Sequence, residues 1–280
     1  MRIDWRETSA GGQTFCYVDS GEGPLVLLLH GFPDLPTSWD SFRARLNDAG
    51  FRTVAPYLRG YHPATLSGRG FDTSDQADDV ALLLDALGEE TAVVVGHDWG
   101  ADATYSSATR YPDRVTKMVA LGIPHPRTLK PSLGGAWAGR HFVYFKLPWA
   151  QATARLFGLR MVGRLYRRWA PSWQGPVRDA SVAAAVEAFR DERVLRGALS
   201  YYKALRPGHP LYRDKIGVPA LVVGGADEAP VLQHGYAATP RRFTAPCEVR
   251  ILEGAGHWPH RESEVEFVEL LLVFLAEDHS

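Results

Sequence analysis

The sequence predicts an α/β fold: a mostly parallel, doubly wound sheet that carries an inserted helical lid. Three observations predict it. Six apolar runs lack polar alternation: Pro24–Gly31 (PLVLLLHG), Thr53–Pro56, Thr91–Gly96, Thr116–Gly122, Pro219–Gly225 and Glu248–Glu253. Such runs suit strands covered on both faces. Helical patterns separate them, at Ser38–Ala49, Ser74–Leu87 with Gly88 as a stop, Ala101–Arg110 and Ser263–Leu275. Strand and helix in alternation wind a parallel sheet. The alternation stops once, from about His125 to Tyr212, where helical spacing reappears in Ala150–Trp169 and Val182–Lys203. Residues 125–212 therefore read as a lid inserted into a core domain made of 1–124 and 213–280. Ahead of the first buried run, Gln13–Asp19 (QTFCYVD) alternates and is expected to form an antiparallel edge strand.

The bulk numbers agree with one large core. The chain has 280 residues, 45% of them hydrophobic. Its 31 basic and 32 acidic residues leave a net charge of -1, with no run of like charge to attract nucleic acid. Arg164–Arg168 (RLYRR) reads as a solvated helix face. Cys16 and Cys247 read as two reduced core thiols rather than a disulfide framework or metal site. The amino-terminal MRIDWRETSAGGQ lacks the apolar stretch of a secretory signal, and runs such as Leu25–Leu29 are too short to span a bilayer. The expectation is a soluble, cytoplasmic protein with no membrane span; homo-oligomerisation stays open.

In an open parallel sheet, ligands gather at the carboxyl ends of the strands. His30-Gly31-Phe32-Pro33-Asp34 follows the first buried run, and Gly96-His97-Asp98-Trp99-Gly100 follows the third. Ala226-Asp227-Glu228 follows the fifth, and Gly254-Ala255-Gly256-His257-Trp258 the sixth. Nucleophile, acid and base in this order form the α/β-hydrolase arrangement. Asp98, flanked by glycines, is the expected nucleophile. Asp227 is the expected acid, with Glu228 as fallback, and His257 the expected base. The backbone N–H groups of Phe32 and Trp99 should form an oxyanion hole. Phe32-Pro33 is a candidate cis bond. His30 and His97 read as packing and loop-bonding residues, and His62, His209, His234, His260 and His279 as surface or structural ones.

A carboxylate at the nucleophile position selects the chemistry. Asp98 is ionised at neutral pH and can attack a tetrahedral carbon directly, forming an alkyl ester. His257 is then free to activate water for ester hydrolysis. Ordinary esterase or protease chemistry is excluded. Two leaving groups fit: a halide, or the oxygen of a strained epoxide.

The chain resembles the epoxide hydrolases of the α/β-hydrolase superfamily, nearly end to end. HGFPD at 30–34, GHDWGA at 96–101, PALVVGGAD at 219–227 and GAGHWPHRE at 254–262 carry the resemblance. It implies an inserted cap with two donors for the epoxide oxygen. Ser200-Tyr201-Tyr202-Lys203 looks like the segment of the second donor, with Tyr202 preferred to Tyr201. In Arg140–Pro148 (RHFVYFKLP) the first donor is His141, or Tyr144 one helical turn away. Pro33, Trp99, Phe142 and Tyr201 are expected to line the substrate site. The implied substrate is a small hydrophobic epoxide, with no metal or organic cofactor. The lid stretch also resembles fluoroacetate dehalogenases, but no arginine stands at Trp99 or Asp102 to hold a substrate carboxylate. A haloalkane dehalogenase is the alternative, with Trp137, Trp149, Trp169 or Trp173 as lid tryptophans.

Overall fold

The computed structural model describes residues 4–66 and 70–277; His279 lies outside them. Eight strands form one sheet: β1 (Trp5–Ala10), β2 (Gln13–Ser20), β3 (Leu25–Leu29), β4 (Arg52–Pro56), β5 (Ala92–His97), β6 (Val115–Leu121), β7 (Ala220–Gly225) and β8 (Cys247–Leu252). Their order is β1-β2-β4-β3-β5-β6-β7-β8. β1 pairs antiparallel with β2 and β2 with β4; all other pairs are parallel. The expected edge strand Gln13–Asp19 is antiparallel but not at the edge, because β1 covers it. The sequence WRETSA of β1 hides this role, since most of its side chains are exposed or half-buried. The clue is the Gly11-Gly12 turn, with φ of 57° and 78°. Two residues at positive φ suit the tight turn whose twist matches a hairpin.

Successive residues of the central strands feed opposite cores, as strand geometry requires. Leu25, Leu27 and Leu29 pack with Val94 into the core shared with α2 (Thr73–Leu87) and α3 (Trp99–Arg110). Val26 and Leu28 pack with Val93 and Val95 on the other face, against α1 (Asp40–Asp48) and α12 (Glu264–Ala276). Helix α2 is delimited at both ends. Asp72 accepts from the backbone N–H groups of Ser74 and Asp75, and Gly88 closes the helix at φ 72°.

Between β6 and β7 the chain is helical: α4 (Leu133–Ala138), α5 (Arg140–Lys146), α6 (Ala150–Leu156), α7 (Arg160–Trp169), α8 (Pro176–Ala188) and α9 (Glu192–Ala204). The two long helical patterns seen in the sequence are each broken. Gly158 and Leu159 both take left-handed φ, 60° and 56°, and separate α6 from α7. Asp191 accepts from the Arg193 N–H at 2.8 Å and starts α9 afresh after α8. Two further helices, α10 (Pro230–Ala238) and α11 (Pro259–Glu262), each begin with proline, which suits a first turn.

The helical insertion is clasped to the sheet through Asp34, which is buried. The Tyr166 hydroxyl on α7 donates to Asp34 Oδ1, and Trp258 Nε1 donates to Asp34 Oδ2 at 2.6 Å. The Tyr166 and Trp258 rings stack 4.3 Å apart. Among the described residues, no helix is long and apolar enough to cross a membrane.

Candidate active site

Asp98 sits in the turn from β5 to α3 at φ 52° and ψ -113°, a backbone conformation that L side chains rarely hold. The flanking glycines make the turn feasible. A Cβ on Gly96 would strike the Gly100 carbonyl, and one on Gly100 would strike the Leu29 carbonyl. The Asp98 N–H is tied to the Leu121 carbonyl at 3.1 Å, so this turn is held between β6 and α3.

The Asp98 carboxylate has two differentiated oxygens. Oδ1 accepts the Phe32 backbone N–H at 2.8 Å. Oδ2 faces His257 Nε2 at 3.4 Å. Phe32 is presented by the loop after β3, where the Phe32–Pro33 bond is cis and Pro33 is buried. His30 braces that loop, donating from Nδ1 to the Gly31 carbonyl at 3.0 Å and accepting the Leu58 N–H on Nε2 at 3.0 Å. The Trp99 N–H belongs to the first turn of α3, whose donors have no helical acceptor.

His257 follows β8 and is held by its own backbone. Its N–H donates to the Trp169 carbonyl at 2.9 Å, and its carbonyl accepts from His97 Nε2 at 2.8 Å. The carboxylate on its Nδ1 belongs to Glu228, at 3.2 Å, and not to Asp227. This corrects the sequence expectation. Asp227 is exposed and accepts from the Ser172 hydroxyl in the insertion. Glu228 turns inward, where Oε2 accepts from the Gly225 N–H at 3.1 Å and the Tyr236 hydroxyl at 2.7 Å. Oε1 is left for the imidazole. The extra methylene of Glu lets the second residue of the turn reach a histidine that Asp227 points away from.

Above Asp98 the insertion supplies aromatic walls. The Tyr202 ring lies edge-on to Phe32 at 5.3 Å and to Trp99 at 5.0 Å. Phe142 packs on Tyr202 at 5.1 Å and on Trp99 at 6.3 Å. His141 meets Tyr202 edge-on at 5.8 Å. The other candidates are placed elsewhere. Tyr201 is behind Trp99, with its hydroxyl donated to the Arg59 carbonyl at 3.0 Å. The Tyr144 hydroxyl is bonded to Thr153 of α6 at 2.5 Å, inside the insertion. Asp102 is turned toward Tyr212, Thr73 and Gln76 and does not face Asp98. Trp169 is a site residue that the sequence did not single out among the tryptophans. Its ring is 5.1 Å from His257 and 4.8 Å from His141.

The chain is similar to known proteins along nearly its whole length. Residues 24–264 match the family model of the alpha/beta hydrolase fold. Epoxide hydrolase A of Mycobacterium tuberculosis is 30% identical, over 96% of either chain. Epoxide hydrolase 3 of Xenopus tropicalis is 30% identical over 95% of this chain and 76% of its own. The crystal structure of Epoxide Hydrolase A from Mycobacterium thermoresistibile superposes with a TM-score of 0.81, at 26% identity and 98% coverage of both chains. The chain belongs to the epoxide hydrolases of the α/β-hydrolase superfamily. It is a hydrolase, and these relatives do not favour the haloalkane dehalogenase alternative.

The charges of this hydrolase site are strongly coupled. Burial alone would lower the pKa of His257, but hydrogen bonds to Asp98 and Glu228 outweigh it and raise the imidazole from 6.5 to about 10. Burial pushes the Asp98 carboxyl up, and His257 and the Phe32 N–H more than offset this, leaving it below its usual value. A raised folded-state pKa stabilises below the unfolded value and loses that contribution as pH climbs through the folded value. The His257 contribution is therefore complete below pH 6.5 and lost on approach to about pH 10. In Asp98→Asn the decline of Tm across this window should be shallower than in wild type, as thermal melts at stepped pH would show. An unchanged slope would remove Asp98 as the partner that charges His257.

His141 behaves differently. Burial, chiefly, lowers its pKa to about 4. Its Nδ1 donates to the Ala138 carbonyl at 3.2 Å, so the neutral ring carries its lone pair on Nε2. It can donate from Nε2 only after gaining a proton.

Proposed function

We propose that this chain hydrolyses hydrophobic epoxides to vicinal diols through a covalent ester on Asp98, with residues 125–212 acting as the lid. The observation that carries the reading is the split environment of the carboxylate: Oδ1 on the Phe32 N–H and Oδ2 toward His257 Nε2. In the first step Oδ2 attacks the less hindered ring carbon, and the bond from that carbon to the epoxide oxygen breaks. Tyr202 donates a hydrogen bond to the departing oxygen. Esterification removes one of the two carboxylates that raise His257, and the proton the imidazolium gives up balances the one the alkoxide gains. Neutral His257, oriented by Glu228, then takes a proton from water as the hydroxide adds to Cγ of Asp98. The new oxyanion on Oδ1 is held by the N–H groups of Phe32 and Trp99. Its collapse breaks the Cγ–Oδ2 bond, the proton of the added hydroxyl passes to the departing Oδ2, and the diol leaves an ionised Asp98 beside the imidazolium.

This sequence sends the oxygen of water into the enzyme first. A single turnover in heavy-oxygen water should label the Asp98 carboxylate and leave the diol unlabelled. Label in the diol after one turnover would mean direct attack by water and would sink the covalent reading. Halide release without diol, across matched substrates, would move the activity to dehalogenation.

The donor assignment has its own test. Tyr202→Phe should lower kcat by about 10²–10³-fold, the usual loss for one donor to a developing oxyanion. Tyr144→Phe should change kcat by less than about threefold, since its hydroxyl serves Thr153. Equal losses would return Tyr144 to the site.

A further inference from the structure

The near-neutral charge of the chain conceals a sharp division. From His125 to Arg178 there are ten lysines and arginines and no aspartate or glutamate. The rest of the chain holds 21 basic and 32 acidic residues. Within this stretch Arg155 pairs with Glu192 at 2.9 Å and Arg178 with Asp179 at 2.7 Å. The other eight cations have no carboxylate partner among the described residues. Arg127, Lys130, Arg140, Lys146, Arg160, Arg164 and Arg167 are exposed.

The same stretch carries most of the large exposed apolar side chains; Val265 and Val273 on α12 are the others among the described residues. Leu133 is 92% exposed and Trp137 69%, and Val143, Trp149, Leu156 and Phe157 are all more than half exposed. They lie on or beside the three consecutive helices α4, α5 and α6. Helix α5 shows how the two characters combine. Phe142 and Phe145 pack inward on Tyr202, while Arg140, Val143 and Lys146, spaced by three, are exposed on the other side. Tryptophan, leucine and phenylalanine among unpaired basic residues suit the boundary of a bilayer with anionic headgroups. A simple polyanion would need the cations but not the exposed indoles and leucines. A second copy meeting this face with its own would bring like charge onto like charge.

We propose that the outer face of α4–α6 docks this protein on a bilayer surface that contains anionic lipid. The cations attract the headgroups and the exposed apolar side chains enter the interface. The docking does not depend on the reaction proposed for Asp98. Where that reaction holds, an apolar substrate dissolved in the bilayer would lie one helix diameter, about 10 Å, from Tyr202, on which Phe142 and Phe145 of α5 pack.

The test is flotation of the intact protein with vesicles, read without turnover. Phosphatidylcholine vesicles with about one third phosphatidylserine should bind at least tenfold more protein than phosphatidylcholine alone. Raising salt from about 0.15 M to about 1 M should release it, as the screening length falls below headgroup distance. Arg140→Glu with Lys146→Glu should weaken binding about a hundredfold or more, at roughly fivefold per unit of charge. Trp137→Ser with Trp149→Ser should weaken it at unchanged charge. Circular dichroism and melting temperature would establish that both variants fold. Equal binding to the two vesicle types, binding to neither, or binding undiminished in the folded variants would overturn the proposal. So would preference for heparin over vesicles, or a self-association that the tryptophan variant abolishes.

Discussion

In His257→Gln, an added epoxide should leave the enzyme esterified on Asp98 and stalled. Ring opening needs the ionised carboxylate, the Phe32 N–H on Oδ1 and a donor for the departing oxygen, and none of these is supplied by His257 alone. Water activation does need it, since no other neutral base contacts the carboxylate among the described residues. Steady-state turnover should fall by about 10³–10⁴-fold, the usual range for loss of a positioned general base. Burial pushes the Asp98 pKa up and the imidazolium helps to offset this, so the labelling is best done near pH 8, which favours the ionised carboxylate. Mass spectrometry should then find the peptide containing Asp98 heavier by the whole mass of the epoxide, because no leaving group departs. A halide substrate would instead add only its alkyl part. Asp98→Asn with His257→Gln should carry no adduct. Failure to find any adduct on Asp98 in the histidine variant, across a panel of epoxides, would refute ester formation at this residue.

How far the sequence alone leads can be argued from particular residues. Five of the six runs and the Gly96-His97-Asp98-Trp99-Gly100 turn were legible because each is a local signal: largely unbroken burial in β3 to β7, and backbone contacts at the turn that admit no Cβ. The sixth run differs, since β8 buries only Leu252 of its six residues. Strand direction then placed Asp98 and His257 at the same, carboxyl edge of the sheet, although β6 and β7 lie between their strands β5 and β8. What stayed illegible was the direction in which a side chain points. Asp227 and Glu228 are consecutive in one turn, and only the fold decides that the first faces Ser172 and the second His257. His141 and Tyr144 lie on one short helix, and their roles part because Thr153 on the next helix takes the tyrosine hydroxyl. Strand β1 was hidden by its exposed residues, although the Gly11-Gly12 turn marked it. The division of charge in the insertion was present in the sequence throughout, but a whole-chain sum and a search for contiguous runs both average it away.

Glu228→Gln should abolish most turnover, while Asp227→Asn should leave it within about twofold of wild type, as expected for an exposed substitution. Glu228 accepts the Nδ1–H of His257 and so fixes the lone pair on Nε2, the nitrogen that faces Asp98. A glutamine amide can donate to Nδ1 instead, which places the proton on Nε2 and leaves no base at the reacting carbon. Loss of tautomer control with geometry intact costs on the order of 10⁴-fold in a hydrolase triad. The ester on Asp98 should therefore accumulate in Glu228→Gln as it does in His257→Gln. That readout separates a catalytic defect from simple unfolding. Charge matters as well as orientation. Glu228 is one of the groups that raise His257, so its neutralisation should lower the pH at which the imidazole titrates in the free enzyme. Histidine titration followed by NMR would register that shift directly. Glu228→Asp should fall between the two, because the shorter side chain cannot satisfy Gly225, Tyr236 and His257 together. A dead Asp227→Asn beside an active Glu228→Gln would reverse the assignment and return the acid to Asp227.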